Sequence, residues 1–151
     1  MKLISHRGNI NGRLENLENE PTYIDIAINM GYDVEVDVWV LPEHKNLIFL
    51  GHDKAQYSVT MDFFKKRIDK LWIHCKNIGA LYLFNNSEHN FNYFWHQEDD
   101  FTLSSYGLIW TFPGKKLTIN SICVMPELCD ISKDMLPECF GVCSNFIDNF
   151  K

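Results

Sequence analysis

Two carboxylates one residue apart, Glu35 and Asp37, are the first candidates for chemistry in this chain. They alternate with valines in the segment Val34-Glu35-Val36-Asp37-Val38, a period-2 pattern that predicts a β-strand. Because successive side chains of a strand point to opposite faces, both carboxylates project from one face and the valines from the other. Such a pair can bind a divalent cation, and the competing interpretation is two solvated surface charges.

A histidine is predicted to lie beside this pair. A second apolar run, residues 47–51, follows the first after a short polar connection, residues 41–46. A parallel crossover needs about a dozen residues or more, so the second run should return antiparallel. A hairpin folded about residue 44 places His52 roughly opposite Val36 and next to both carboxylates, although a slip of one residue would reverse the face.

Four short motifs occur in an order and spacing that resemble one enzyme family. In chain order they are His6-Arg7-Gly8, Glu18-Asn19, Glu35-Val36-Asp37 and Gly51-His52-Asp53. A helix predicted to follow Asn19 and to end near Gly31 lies between the second and the third. This arrangement resembles the glycerophosphodiester phosphodiesterase family, within the phosphodiesterases similar to phosphatidylinositol-specific phospholipase C. The match covers roughly the first third of the chain and, more weakly, residues 71–76.

The resemblance implies phosphodiester hydrolysis at a divalent metal. His6 and His52 match the paired histidines of the family, of which one takes the proton of the nucleophile and the other protonates the leaving alkoxide. An unperturbed pKa of about 6.5 lets a histidine do either task near neutrality. Arg7 matches the residue that holds the phosphate, and its planar guanidinium suits that role.

The resemblance also implies a set of metal ligands. Glu35 and Asp37 match two of them, and Glu18 matches a glutamate that joins the metal shell or orients the histidines. The family has a further glutamate two residues before a lysine; here His74 takes its place and Lys76 is retained, as a candidate for binding substrate. Carboxylates favour Mg²⁺ or Ca²⁺, whereas an imidazole ligand favours Mn²⁺ or Zn²⁺, so the metal's identity stays open.

The chain is predicted to be one domain, residues 1–151, because its length and its 46% content of hydrophobic residues suit a single core. Seven short apolar segments are predicted to be barrel strands: residues 2–5, 34–38, 71–76, 92–96, 107–112, 121–125 and 139–143. A complete (β/α)₈ barrel usually takes at least about 200 residues. The sequence therefore predicts a small or incomplete TIM-barrel-like (β/α) barrel with several helices missing in the C-terminal half, and an open α/β sheet is the alternative.

The net charge, the cysteines and the lengths of the apolar stretches limit the kinds of partner and the compartment that the sequence predicts. A formal net charge of -6 argues against nucleic-acid binding, which needs a basic surface. The five cysteines are odd in number and form no CxxC motif, which favours reduced thiols. Residues 1–5 run straight into the first motif, and no stretch approaches about 18 apolar residues. The sequence predicts a cytoplasmic protein without membrane insertion, whose partner is a small phosphodiester substrate.

Three polar residues lie at or just beyond the ends of later predicted strands: His96, Thr111 and Glu127. If those strands are parallel to the first, the three reach the same rim as His6, and His96 is the candidate for substrate contact.

Three functions stay open. The first is hydrolysis of a glycerophosphodiester-like substrate, and the second is a lyase reaction at the same site, in which a hydroxyl of the substrate attacks and a cyclic phosphate forms. The third, favoured by the imidazole at position 74 and by the short chain, is a non-catalytic protein that binds a phosphorylated metabolite.

Overall fold

The structure, a computed structural model, describes residues 1–44 and 46–151. Lys45, in the predicted polar connection, lies outside the described residues. The strands are β1 (Lys2–His6), β2 (Asp33–Trp39), β3 (Ile48–Leu50), β4 (Tyr57–Val59), β5 (Leu71–Cys75), β6 (Tyr93–Trp95), β7 (Phe101–Leu103), β8 (Ile109–Thr111), β9 (Ser121–Val124) and β10 (Gly141–Ser144). The helices are α1 (Pro21–Asn29), α2 (Met61–Lys65) and α3 (Ile78–Asn85), with 3₁₀ turns at Pro126–Cys129, Lys133–Met135 and Ile147–Phe150.

All of these strands belong to one mixed sheet. Its central part is a run of parallel strands in the order β6-β5-β2-β1-β10-β9-β8. Three further strands, β3, β4 and β7, pair antiparallel at its margins. The parallel strands are the seven predicted from the sequence, and their positions are confirmed with small shifts at their ends.

The prediction of a TIM-barrel-like (β/α) barrel is wrong. The sheet curls into a half-barrel, and only 22% of the chain is helical, which is too little for a helix after each strand. Within the described structure, residues 112–120 contain no helix, because Pro113 and Gly114 form a turn, and residues 125–140 contain only 3₁₀ turns. Such short connections cannot form the outer ring of helices that a (β/α) barrel has.

The two ends of the parallel run, β6 and β8, do not pair with each other in the described part of the chain. Instead, β6 meets the hairpin of β7 and β8 through separate hydrogen bonds. The Thr102 hydroxyl donates to the Trp95 carbonyl at 2.7 Å, and the Ser105 N–H donates to the Tyr93 carbonyl at 2.8 Å. This side of the curl is therefore closed by side-chain and loop contacts rather than by a strand ladder.

The hairpin of β2 and β3 has the predicted register. Val38 pairs with Leu50, and the Gly51 N–H extends the pairing by donating to the Asp37 carbonyl at 3.1 Å. Because the register fixes which side chains share a face, His52 comes next to the carboxylate-bearing face of β2.

Helix α1 begins where the sequence predicts. Pro21 occupies its first turn, and the Glu20 carboxylate caps it by accepting the Tyr23 N–H at 2.8 Å. Gly31, with φ of 98°, follows its C-terminal end, as glycine commonly does. Of the helices in the described residues, none combines the length and the apolar character needed to cross a bilayer.

Both faces of the curled sheet are buried. The outer cluster contains the fully buried valines of β2, which lie with residues of α1 and α3. The inner cluster lies on the opposite face, inside the curl, and contains Ile4, Trp72, Phe94, Trp110 and Ile122. Glu35 and Asp37 are 1% and 0% exposed. The carboxylate face of β2 is therefore an interior face, and the interpretation of these residues as solvated surface charges is wrong.

We expect Phe64→Ala to destabilise the fold strongly. Phe64 is fully buried in the outer cluster, and its ring contacts those of Phe63, Phe84 and Phe91 at centroid distances of 5.2, 5.1 and 6.5 Å. Truncation should lower the free energy of unfolding by about 3–5 kcal/mol, measured by urea denaturation. The control Tyr82→Ala, at an exposed site on α3, should change it by less than about 0.5 kcal/mol. Equal effects of the two variants would contradict this packing.

Candidate functional site

Adjacent parallel strands bring the candidate residues together at their C-terminal ends. His6, the last residue of β1, is in register with Glu35 of β2, and Asp37 of β2 is in register with His74 of β5. In-register side chains on one face of neighbouring strands are close enough to interact. Residues that are far apart in the sequence therefore meet on the inner face of the curl.

Glu35, Asp37 and His74 form a compact group of possible metal ligands. One ligand atom from each lies within 4.8 Å of the other two. His74 Nδ1 lies 3.0 Å from Asp37 Oδ1 and 3.5 Å from Glu35 Oε1. Two carboxylates and one imidazole are a donor set that suits Zn²⁺ or Mn²⁺ and also accepts harder cations.

The hydrogen bonding around the group fits a cation. Two buried carboxylate oxygens have basic side chains as their near neighbours. His6 Nε2 lies 3.8 Å from Glu35 Oε2, and His74 Nδ1 and Lys76 Nζ lie 3.0 and 3.5 Å from Asp37 Oδ1. His74 Nε2 lies 2.8 Å from the His96 carbonyl oxygen. Since a carbonyl only accepts, Nε2 carries a hydrogen, and the ring must release the proton on Nδ1 before that nitrogen can bind a metal. In a metal-binding histidine, the ring nitrogen that does not bind the metal usually donates its N–H to a carboxylate, a water or a backbone carbonyl.

Glu18, a predicted member of the metal shell, lies outside this group in the described structure. Its Oε2 accepts from Arg7 Nη1 at 3.1 Å, and its Oε1 accepts from Asn9 at 3.0 Å and from Arg13 at 2.9 Å. These partners engage both oxygens of Glu18, so Glu18 supports Arg7, and its predicted place in the metal shell stays a prediction.

Arg7 reaches into the site from a left-handed turn after β1. Its φ is 57°, and Gly8 follows with φ of 95°. A Cβ at position 8 would lie 2.6 Å from the ring of Tyr23, so this turn requires glycine. Arg7 Nε lies 2.9 Å from Asp37 Oδ2. Burial opposes its charge, but the nearby carboxylates outweigh burial and raise the pKa of the guanidinium.

Asp37 is the most heavily contacted acid of the site. Burial would raise its pKa, but hydrogen bonds from His52 and His74 and the charge of Arg7 hold the pKa well below its usual value. The Asn19 side chain donates to Asp37 Oδ2 and accepts the Asp37 N–H, both at 2.9 Å. Lys76 Nζ lies 3.5 Å from Oδ1. Asp37 is thus ionised and fixed in position.

The His6 ring is oriented by Asn145, which the sequence did not predict as a site residue. His6 Nδ1 lies 2.9 Å from Asn145 Oδ1, and the same oxygen accepts from Asn9 Nδ2 at 2.9 Å. Nδ1 therefore carries the hydrogen, and Nε2 faces Glu35 Oε2 at 3.8 Å. Ser144, the residue before Asn145, pairs with Ser5, the residue before His6. Each of these two strands thus ends in a serine followed by a polar residue, and this shared pattern could have identified Asn145 from the sequence.

His52 lies at the mouth of the site, with its side chain 36% exposed. Its Nδ1 is 3.4 Å from Asp37 Oδ2, and its Nε2 is 3.4 Å from Arg7 Nη2 and 3.6 Å from Asp53 Oδ1. The structure therefore brings His52 next to Asp37, as the hairpin predicts.

A cavity of about 370 Å³ opens above the group. Its lining includes His6, Arg7, His52, Lys76 and His96. The structure thus brings the predicted catalytic and substrate-binding residues to one cavity.

Two further residues predicted at this rim do not line the cavity. The Thr111 hydroxyl lies 3.4 Å from the Ile109 carbonyl oxygen. Glu127 accepts from the Asn145 N–H at 3.0 Å and from the Ser144 hydroxyl at 2.8 Å. Glu127 is therefore part of the support behind His6.

The stability of the metal-free protein should depend on the ionisation of His74. Burial opposes its charge, but hydrogen bonds to Asp37 and Glu35 outweigh burial and raise the pKa of His74 from 6.5 to about 9. The protonated ring therefore stabilises the fold fully below pH 6.5, and this contribution is lost as the pH rises through about 9. The difference in unfolding free energy between wild type and His74→Gln should shrink by about 3 kcal/mol between pH 6 and pH 10.

The measurement is urea denaturation across this pH range, with an NMR titration of the His74 ring in chelator-treated protein. His89→Gln, at an exposed site, is the control and should show no such change. A His74 midpoint near 6.5 would contradict the ion pairing.

No protein-family model matches this chain, and no match was found among curated proteins or among solved structures. The family resemblance of the four motifs therefore stays a prediction, and the case for a function is made by the geometry of the cavity.

Proposed function

We propose that this protein is a metal-dependent phosphodiesterase that hydrolyses a small phosphodiester by histidine acid–base catalysis. One observation carries the proposal: His6, His52, Arg7 and Lys76 line the same cavity as Glu35 and His74. Glu35 and His74 form the candidate ligand group with Asp37. A phosphodiester needs its charge neutralised, its leaving oxygen protonated and its nucleophile deprotonated. The cavity offers a group for each task.

The metal would be held by Glu35, Asp37 and His74. When bound, a divalent cation polarises the phosphoryl oxygens and lowers the pKa of a bound water. The imidazole favours Mn²⁺ or Zn²⁺, and Mg²⁺ or Ca²⁺ would rely on the two carboxylates.

In this proposal Arg7 and Lys76 bind the phosphate. Arg7 is fixed by Glu18 at Nη1 and by Asp37 at Nε, so its Nη2 edge can donate to an oxygen anion in the cavity. A guanidinium held in this way recognises phosphate with little loss of side-chain entropy. Lys76 adds a second positive charge from the end of β5.

His6 and His52 supply the proton transfers. With Nδ1 held by Asn145, His6 presents Nε2 to the cavity and takes the proton of the attacking water. As the water oxygen bonds to phosphorus, the ester P–O bond breaks and the leaving alkoxide takes a proton from His52. His52 suits the second task because it lies at the exposed mouth, where the alcohol departs, between the carboxylates of Asp37 and Asp53.

Two other functions use the same residues. In a lyase reaction, a hydroxyl of the substrate replaces water as the nucleophile, and product analysis would find a cyclic phosphate. A non-catalytic phosphate-binding protein is favoured by one observation: Arg7, His74 and Lys76 already surround Asp37 within 3.5 Å, so the metal-free site has cationic partners for its central acid. Absence of bound metal in the purified protein and of turnover with Mg²⁺, Mn²⁺, Ca²⁺ or Zn²⁺ would support that function and exclude the proposed one.

We expect His6→Ala and His52→Ala each to lower turnover at least about 100-fold, which is typical of the loss of a general acid or base. The assay is release of phosphomonoester from a glycerophosphodiester with added divalent metal. Thermal melting checks that each variant is folded. His89→Ala, at an exposed site away from the cavity, should keep the wild-type rate. A rate close to wild type in either site variant would remove that residue from the mechanism.

Replacing His74 by glutamate should shift metal preference toward Mg²⁺ or Ca²⁺, because a third hard oxygen ligand takes the place of an imidazole. Calorimetric titration of each metal into wild type and His74→Glu measures the shift. Glu18→Gln is the matched control: because Glu18 lies outside the ligand group, the order of metal affinities should stay as in wild type. An unchanged order in His74→Glu would show that residue 74 is not a ligand.

A further inference from the structure

The cavity has two chemically different parts. Its polar part, described above, comes from the ends of β1, β2 and β5 and from the segment after β3. Its apolar part comes mainly from β6, β8, β9 and the segments that follow them. It includes the side chains of Trp39, Trp95, Trp110, Phe112, Val124 and Met125.

The apolar part is built on packed aromatic rings. The ring of Trp110 stacks on that of Phe94 at a centroid distance of 4.5 Å and an interplanar angle of 29°. Trp72 lies behind it at 6.1 Å, and Trp110 is only 4% exposed. A group that binds there therefore packs mainly against the partly exposed side chains of Trp39, Trp95 and Met125 and the exposed ring of Phe112.

Two polar groups of this part are engaged within the protein. The indole N–H of Trp39 donates to the Gly51 carbonyl at 2.6 Å. His96 Nε2 lies 2.6 Å from the Asp99 carbonyl oxygen. A ligand that carries several hydroxyls therefore finds fewer hydrogen-bond partners here than in the polar part, and hydrogen bonds lost to water and not replaced are costly.

We propose that the apolar part binds the alcohol portion of the phosphodiester, and that this alcohol is apolar and carries a ring, as benzyl alcohol does, rather than being a polyol. The assignment rests on the proposed function, because a phosphate bound between Arg7 and Lys76 leaves the apolar part of the cavity for the alcohol portion of the substrate. Aromatic groups gain from burying apolar area and from offset or edge-on ring contacts.

The test compares two diesters of glycerol phosphate with similar leaving groups, one of benzyl alcohol and one of glycerol. We expect kcat/KM for the benzyl diester to exceed that for the glycerol diester by at least about tenfold, the discrimination that a few apolar contacts provide. Equal values, or a preference for the glycerol diester, would overturn the assignment while leaving the phosphodiesterase proposal intact.

Phe112→Ala tests the apolar part of the cavity directly. Phe112 lines the cavity and is 41% exposed, so removal of its ring leaves the core intact. It should lower the preference for the benzyl diester by about 3- to 10-fold. Phe101→Ala is the matched control: Phe101 is 48% exposed, lies on neighbouring β7 and does not line the cavity, so the preference should be unchanged.

Met125→Gln, which places an amide on the apolar part, should raise the relative rate on the glycerol diester. An unchanged preference in both cavity variants would overturn the assignment.

A binding experiment separates failure of this assignment from failure of the proposed function. Benzylphosphonate and methylphosphonate are titrated into the protein with Mn²⁺, and intrinsic tryptophan fluorescence reports occupancy. Tighter binding of benzylphosphonate, weakened in Phe112→Ala and unaffected in Phe101→Ala, supports the apolar subsite even if neither diester is hydrolysed. Equal affinity of the two phosphonates would overturn the subsite whether or not the protein has phosphodiesterase activity.

Discussion

The structure depends on how the charge of Asp37 is held inside a curled sheet. A fully buried carboxylate loses several kcal/mol of hydration, and that loss is tolerated only when opposite charges and hydrogen bonds replace water. Here Arg7 and Asn19 contact one oxygen, and His74 and Lys76 approach the other. These partners come from the turn after β1, the loop before α1 and the end of β5, so a single charge links the segments that build the cavity. Arg7 is in turn fixed by Glu18, which extends the network to the loop of residues 9–18.

Residues near the ends of the strands at this rim carry backbone strain as well as charge. Arg7, Asn19 and Met125 all have positive φ, at 57°, 64° and 43°, although none is glycine. Such conformations cost of order 1–3 kcal/mol each and persist where the surrounding structure enforces them. For Asn19 the enforcing contacts are its paired hydrogen bonds to Asp37. Strain and buried charge thus occur together at this edge of the sheet, while the aromatic and aliphatic clusters below it supply the stability.

Local patterns in the sequence predicted the seven parallel strands, the register of the β2–β3 hairpin and the meeting of His52 with Asp37, because each depends on side-chain alternation or on a short turn. They did not predict β4 and β7. They did not predict the architecture. Whether a sheet closes, and whether a connection forms a helix, depends on contacts between distant segments, and the expected barrel was wrong for that reason. The same limit applies to the site. Asn145 orients His6 from a position 139 residues away, and the partners of Glu18 became visible only in three dimensions. The period-2 pattern identified the acidic face of β2 but could not say that β5 and β1 would bury it.

The unpaired margin between β6 and β8 affects how the cavity can respond to a ligand. Backbone ladders are stiff in the direction of their hydrogen bonds, whereas this margin is spanned by the contact of Phe94 with Trp110 and by the bonds of Thr102 and Ser105. Side-chain contacts yield at lower cost than a ladder of backbone bonds. The strands on either side of this margin, β6 and β8, can therefore move apart at lower cost than paired strands can. The width of the cavity is adjustable in a way that a fully closed barrel does not allow.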